Sequence, residues 1–184
     1  FPRGKAIVTG NPVRREFFEI AARQRPSGQL AILVFGGSQG ARAINEAMIA
    51  ALPSLEKEMF RITHQTGETD FAKVSAGYAE AGWGEHVEVR KYIDNMVDAF
   101  AAVDLVICRA GATTTAELIA AGKASIMIPF PLAADDHQRK NAEALAAAGA
   151  GKMILQSDLS GERLAEEITT LASTPERITT MEQA

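Results

Sequence analysis

Six consecutive apolar residues at 30–35 (LAILVF) run without a polar break into Gly36-Gly37-Ser38-Gln39-Gly40 and then into an Ala-rich stretch. A strand with one wet face alternates apolar and polar side chains; one that is apolar throughout is covered on both faces, as in a parallel sheet sandwiched by helices. The rest of the chain repeats the arrangement. Short β-branched or aliphatic runs predict strands over 6–9, 30–35, 60–65, 86–89, 105–108, 125–128 and 152–155. Between them, 12–24, 41–52, 69–79, 96–101, 114–121, 136–148 and 159–172 predict helices, with room for one more after Pro175. Strand followed by helix, repeated, is an α/β fold: a parallel sheet with helices on both faces, joined by right-handed crossovers.

The chain has 184 residues, enough for one substantial core, and no internal linker or fixed-period repeat divides it. Its 47% hydrophobic and 23% charged content is that of a globular protein rather than a disordered or fibrous one. A net charge of -4, from 19 Lys+Arg against 23 Asp+Glu, argues against nucleic acid as a partner while allowing a local cationic pocket. A single cysteine, Cys108, permits neither an intrachain disulfide nor a cysteine zinc cluster and suits a reducing cytoplasm. The apolar runs fall short of the roughly 20 residues of a spanning helix. The opening Phe1-Pro2-Arg3-Gly4-Lys5 has neither an initiator Met nor a signal peptide's layout, and reads as a cut inside a longer protein.

In such folds ligands sit beyond the carboxyl ends of the strands, so the loops there carry the chemistry. The glycines at 36–40 let a ligand approach backbone N–H groups, the following helix start attracts phosphate, and Ser38 and Gln39 add side-chain donors. A tight turn with no ligand explains that segment equally well, and it matches neither the P-loop nor the dinucleotide fingerprint. A second turn of the same kind, Arg109-Ala110-Gly111-Ala112-Thr113-Thr114-Thr115, leads into a helix with Glu117 in its expected first turn. Gly111 and the hydroxyls of Thr113 and Thr114 suit phosphates, and Glu117 suits vicinal ribose hydroxyls. Capping of the helix start asks for the same charge at the same place, so both readings of Glu117 stand.

Arg14, one turn into the helix expected after Gly10-Asn11-Pro12, suits two-pronged pairing with phosphate, although a lone surface Arg is more often simply solvated. The run 135–141 (DDHQRKN), after the bend at Pro129-Phe130-Pro131, offers donors and acceptors suited to sugar hydroxyls. Asp135 and Asp136 do not make a metal site, because neighbours at a helix start do not face one another and a third ligand is missing. His86 reads as structural, His64 as a residue that shapes the pocket, and Cys108 as a small core residue.

These motifs, in this order, resemble those of the MurG family, glycosyltransferases that move N-acetylglucosamine from UDP-N-acetylglucosamine (UDP-GlcNAc) onto a lipid-linked muramyl-pentapeptide in bacterial peptidoglycan synthesis. The resemblance rests on residues 9–14 (TGNPVR), 35–41 (FGGSQGA), 64–67 (HQTG), 92–94 (YID), 109–117 (RAGATTTAE) and 135–142 (DDHQRKNA), all before residue 150. It implies a Rossmann-like domain that is one half of a GT-B glycosyltransferase, residues 1–184 being the C-terminal, donor-binding domain of the family 28 type. By the same resemblance, Arg14 and Ser38 meet the diphosphate, with Gln39 beside Ser38, and Ile93 offers backbone groups to uracil. Ala112, Thr113 and Thr114 line the phosphates, Glu117 binds the ribose, and His137 and Gln138 meet the GlcNAc hydroxyls. The family often has Leu at the position of Thr113 and a Gln pair at His137-Gln138.

The resemblance further implies an inverting transfer with UDP-GlcNAc as substrate, no cofactor and no metal. The family's glycine-rich N-terminal turn, its acceptor-side histidine and its membrane-contacting surface are absent from these 184 residues. The implied partners are therefore an N-terminal domain and, through the full protein, the lipid-linked acceptor; the implied location is cytoplasmic, on the inner face of the cell membrane. Two other classes remain at this point: a noncatalytic nucleotide-sugar module of a split glycosyltransferase, and a dinucleotide-dependent oxidoreductase domain. The second lacks the G-x-G-x-x-G spacing.

Overall fold

The structure is a computed structural model that describes residues 10–23, 28–37 and 41–184. Six strands, β1 (Leu30–Phe35), β2 (Phe60–Gln65), β3 (Val87–Arg90), β4 (Leu105–Cys108), β5 (Ala124–Met127) and β6 (Gly151–Met153), form one sheet in the order β3-β2-β1-β4-β5-β6. Every pairing is parallel. The helices are α1 (Arg42–Ala51), α2 (Phe71–Glu80), α3 (Met96–Ala101), α4 (Ala112–Ala121), α5 (His137–Ala148), α6 (Gly161–Ala172) and α7 (Pro175–Gln183).

All six residues of β1 are buried, as its unbroken apolar run demands. Alternate side chains go to opposite faces, so the sheet divides the core in two. Leu30, Ile32 and Val34 join Leu105 and Ile107 on one face, where Ile44 and Met48 of α1, Tyr78 of α2, Leu164 and Ile168 of α6 and Ile178 of α7 cover them. Ala31, Leu33 and Phe35 join Val106 and Cys108 on the other, beneath Phe100 of α3, Leu118 of α4 and Leu145 of α5. A fully buried Leu, Ile or Phe contributes about 1.5–3 kcal/mol, so both faces are needed to hold the sheet. α1 and α6 lie so close that a Cβ on Gly161 would stand 2.4 Å from the Ala50 carbonyl carbon.

The strand expected at 6–9 lies outside the described residues. The helix expected over 12–24 is not formed: the described part contains only the 3-10 turn Arg15–Glu19. Within that turn Phe17 alone is buried, edge-on against Phe100 at 5.2 Å between centroids, while Phe18 is exposed. One anchored aromatic needs one turn, and no wide apolar stripe is available to hold three more.

Two helix starts also differ from expectation. α4 begins at Ala112 rather than 114, with extended Gly111 as its N-cap. α5 begins at His137 rather than 136, because Asp135 (φ 51) and Asp136 (φ 56) both take the left-handed conformation that few non-glycine residues adopt. The remaining boundaries agree with the sequence pattern to within one or two residues, the usual fraying of element ends.

Candidate functional site

The order of the strands places a topological switch between β1 and β4, where successive crossovers leave in opposite directions and a crevice opens at the carboxyl ends. A cleft of about 670 Å³ lies there, lined by Gly36, Gly37, Arg42 and Glu46 from the β1–α1 side and by Arg109, Gly111, Thr114, Phe130, Gln138 and Gln156 from the β4, β5 and β6 side. Loops distant in sequence therefore meet at one place, and they include three of the motif segments singled out above.

On the β4 side, Gly111 delivers the chain extended into α4, so the amides of the first turn point toward the cleft end of the helix with no intrahelical acceptor. Those amides and the positive end of the helix dipole favour an anion. Thr114 lines the cleft, while Ala112 and Thr113 are exposed in the same turn. Thr115 Oγ1 donates back to the Gly111 carbonyl at 2.9 Å and fixes the cap.

With the helix starting at 112, Glu117 falls in its second turn, where it caps nothing; no acidic residue occupies the first turn. The capping reading of Glu117 is thereby removed. Its carboxylate is mostly buried and stands 4.0 Å from Arg14 Nη2. Burial raises the Glu117 pKa above the usual carboxylate value, and the neighbouring Arg14 charge opposes the rise. Arg14 itself is not one turn into a helix as expected; it is the extended residue that precedes the 3-10 turn, with its guanidinium stacked over Phe17 at 5.0 Å. The stacking carries that cation toward α4.

On the β5 side, the Gln138 Oε1 accepts the Phe130 amide at 3.0 Å. This holds the side chain by its oxygen and leaves its amide nitrogen to donate into the cleft it lines. His137 is exposed, and its Nδ1 donates to the Ala134 carbonyl at 2.7 Å, which leaves Nε2 as its outward group. Asn141 Nδ2 donates to the Ala110 carbonyl at 3.0 Å and ties α5 to the β4 loop. Arg109 fastens the same loops from below: Nη1 donates to the Ile128 and Pro129 carbonyls at 3.1 and 3.2 Å, and Nη2 to Gln156 Oε1 at 2.7 Å. Its partial burial lowers its pKa.

On the β2 side, Gln65 reaches two ways. Its Nε2 donates to the Gly37 carbonyl at 3.1 Å and its Oε1 accepts the Ile93 amide at 2.9 Å. The Ile93 N–H is thus occupied by Gln65 in this structure. Ser38 and Gln39 lie outside the described residues.

The structure therefore pairs Arg14 with Glu117 and sets Thr114 and Gln138 on one cleft; Arg14, Glu117, Ala112, Thr113, His137 and Ile93 are not among the residues lining it. Sequence reading missed Arg42, Gln65, Arg109 and Gln156 as site residues. Arg109 and Gln65 lay inside quoted motifs, but nothing local shows that their partners are other loops. Among the described residues no three His, Cys, Asp or Glu side chains converge as a metal site, and no helix is long and apolar enough to cross a membrane.

The glycosyltransferase family 28 C-terminal domain matches residues 31–184. The UDP-N-acetylglucosamine--N-acetylmuramyl-(pentapeptide) pyrophosphoryl-undecaprenol N-acetylglucosamine transferase of Citrifermentans bemidjiense is 51% identical over 187 residues, covering 100% of this chain and 52% of that protein. The protein of the same name from Myxococcus xanthus is 48% identical over 186 residues, covering 100% of this chain and 48% of its own. The chain spans about half the length of the curated relatives it matches. Among solved structures, Acinetobacter baumannii MurG superposes with a TM-score of 0.79 at 39% identity, covering 88% of this chain and 48% of that one. The glycotransferase of kitacinnamycin, 23% identical with a TM-score of 0.63 over 89% of this chain and 41% of its own, shares the fold. With its parallel sheet, its switch-point cleft and a match over residues 31–184, the chain belongs to the glycosyltransferase family 28 C-terminal domain family, with the Rossmann-like half-fold of GT-B glycosyltransferases.

Proposed function

We propose that this chain is the donor-binding half of an inverting glycosyltransferase that takes GlcNAc from UDP-GlcNAc to a lipid-linked muramyl-pentapeptide. The observation that carries the reading is the Arg14–Glu117 pair on the second turn of α4, the helix whose start lines the cleft: a cation suited to a diphosphate beside a carboxylate that has no capping duty and suits ribose hydroxyls. Relatives of that name support the choice of reaction. Ser38 and Gln39 in the glycine turn, with Thr113, Thr114 and the start of α4, would cradle the phosphates. Ile93 would meet uracil through its backbone, and His137 Nε2 and the Gln138 amide would read GlcNAc hydroxyls.

In the reaction, an acceptor hydroxyl oxygen attacks the anomeric carbon, the bond from that carbon to the diphosphate oxygen breaks with inversion, and UDP leaves with the electron pair. The α4 dipole and Arg14 stabilise the charge that grows on the leaving diphosphate. The hydroxyl proton passes to a base supplied by an N-terminal domain, which with this one encloses the acceptor at the inner face of the membrane. No resident cofactor takes part.

Calorimetric titration with UDP-GlcNAc, UDP-glucose, UDP and NAD tests the reading. UDP-GlcNAc should bind more tightly than UDP-glucose, and Arg14→Ala and Glu117→Ala should each weaken UDP about tenfold, the value of one charge-assisted hydrogen bond. Preference for NAD, or UDP affinity untouched by both substitutions, would overturn it.

A further inference from the structure

The HQTG segment supplies no group to the site described so far except Gln65, yet it begins with a fully buried histidine. His64 lies in a closed polar chain. The Asn45 Nδ2 donates to the Asp70 carboxylate at 2.9 Å and to the Thr66 carbonyl at 3.1 Å, which fixes the orientation of its amide. Asn45 Oδ1 must then accept, so His64 Nε2 carries the proton and donates to it at 3.0 Å. His64 Nδ1 is left as an acceptor and takes the Tyr78 hydroxyl at 3.0 Å. At the other end, Asp70 Oδ1 stands 3.7 Å from Arg42 Nε.

A core that buries this many polar groups must satisfy all of them, and a satisfied network is rigid. An apolar core would have held α1 and α2 on the sheet with less constraint, so what the network adds is position. Its exposed end is Arg42, the first residue of α1 directly after the glycine turn and a wall of the cleft. The two arginines of the cleft wall differ. Arg109 has its Nη groups on two carbonyls and Gln156. Arg42 makes no Nη hydrogen bond to another described residue, and its side chain is 70% exposed.

We infer that Arg42 is a further binding residue for the donor's diphosphate, and that Tyr78, His64, Asn45 and Asp70 are positioning residues that aim its guanidinium at the cleft it lines. The Asp70 carboxylate draws Nε by charge at 3.7 Å, which leaves the two Nη groups to present a fork to phosphate oxygens. Arg42, on the β1–α1 unit, and Arg14, paired with Glu117 of α4, then approach the diphosphate from two sides. This inference rests on the donor-site reading above.

The test compares UDP, which carries the diphosphate, with uridine, which does not, by calorimetry and competition on this chain. Arg42→Ala should weaken UDP about tenfold or more and leave uridine within about twofold. Arg42→Lys should recover part of the loss, since it restores the charge without the fork. Asp70→Asn should weaken UDP by less, and the double variant should lose no more than Arg42→Ala alone. Arg42→Ala binding UDP as the unsubstituted chain does, losing uridine equally, or adding to Asp70→Asn would overturn the inference while leaving the donor site in place. Absence of UDP binding to the unsubstituted chain would overturn both.

Discussion

The site is built from two strand–turn–helix units that look alike in sequence and are held in different ways. β4 and α4 are secured mainly through the main chain: Gly111 caps the helix, Thr115 bonds back to the Gly111 carbonyl, and Arg109 ties the loop to two carbonyls beyond the next strand's end. β1 and α1 are secured at long range, through Asn45 on α1, His64 and Thr66 at the end of β2, and Asp70 and Tyr78 at and within α2. The lesson is that the same glycine-turn pattern places a ligand site without saying what keeps it in shape. In one unit bonds to main-chain carbonyls do so; in the other a buried side-chain network does, and it also orients a cation.

If that contrast is right, removing the centre of the network is the most damaging single change. Asn45→Ala would strand the His64 Nε2 proton, one Asp70 oxygen and the Thr66 carbonyl in the core, and each buried unpaired group costs about 1–3 kcal/mol. We expect a loss of about 3 kcal/mol after partial relaxation, read from urea unfolding, together with weakened UDP binding. A loss below about 1 kcal/mol would mean that water replaces the amide and the unit is not held by this network.

The same contrast explains what was legible in the sequence. The central strands were readable because runs such as 30–35 and 105–108 are apolar on both faces, and burial follows from that alone, while β3 was readable from the alternation of its VEVR. The cap within 109–117 was readable because Gly111 and Thr115 bond to one another, whereas the partners of Arg109 lie in other loops. Arg42, Asn45 and Asp70 were not, because their partners come from other elements, Asn45 reaching Asp70 across 25 positions. One signal was present: Asn45 sits polar beside Ile44, Ala47 and Met48 on the buried side of α1, a conflict that called for a buried partner. The segment 12–24 erred in the opposite direction, since Val13, Phe17 and Ile20 have helical spacing but only Phe17 is fully buried. The start of α4 was misplaced because three consecutive threonines serve as caps or as helix, and Gly111 had already taken the cap.

A smaller effect sharpens the comparison through pH. Burial brings the His64 pKa from 6.5 down to about 3. Between those values the unfolded chain binds the proton and the folded one does not, so stability rises with pH in that window and falls as pH drops below about 6.5. The slope contributed by one such group is at most about 1.4 kcal/mol per pH unit. Unfolding midpoints at pH 7, 6 and 5 should decline, and His64→Gln should flatten the decline between pH 6.5 and 5, where ordinary carboxylates have hardly begun to titrate. An unchanged slope in that variant would place the proton uptake elsewhere.

The smallest expected effect belongs to the unit held through its main chain. Thr115→Val removes one hydroxyl bond to the Gly111 carbonyl, but that carbonyl keeps the Thr115 amide at 2.9 Å. No acceptor is left bare, so the cost should be about 1 kcal/mol or less, and UDP affinity should stay within about twofold of the unsubstituted chain. If Thr115→Val instead costs as much as Asn45→Ala, the main chain at Gly111 does not hold α4 by itself. The two units would then depend equally on side-chain hydrogen bonds, and the difference in kind between them would be gone.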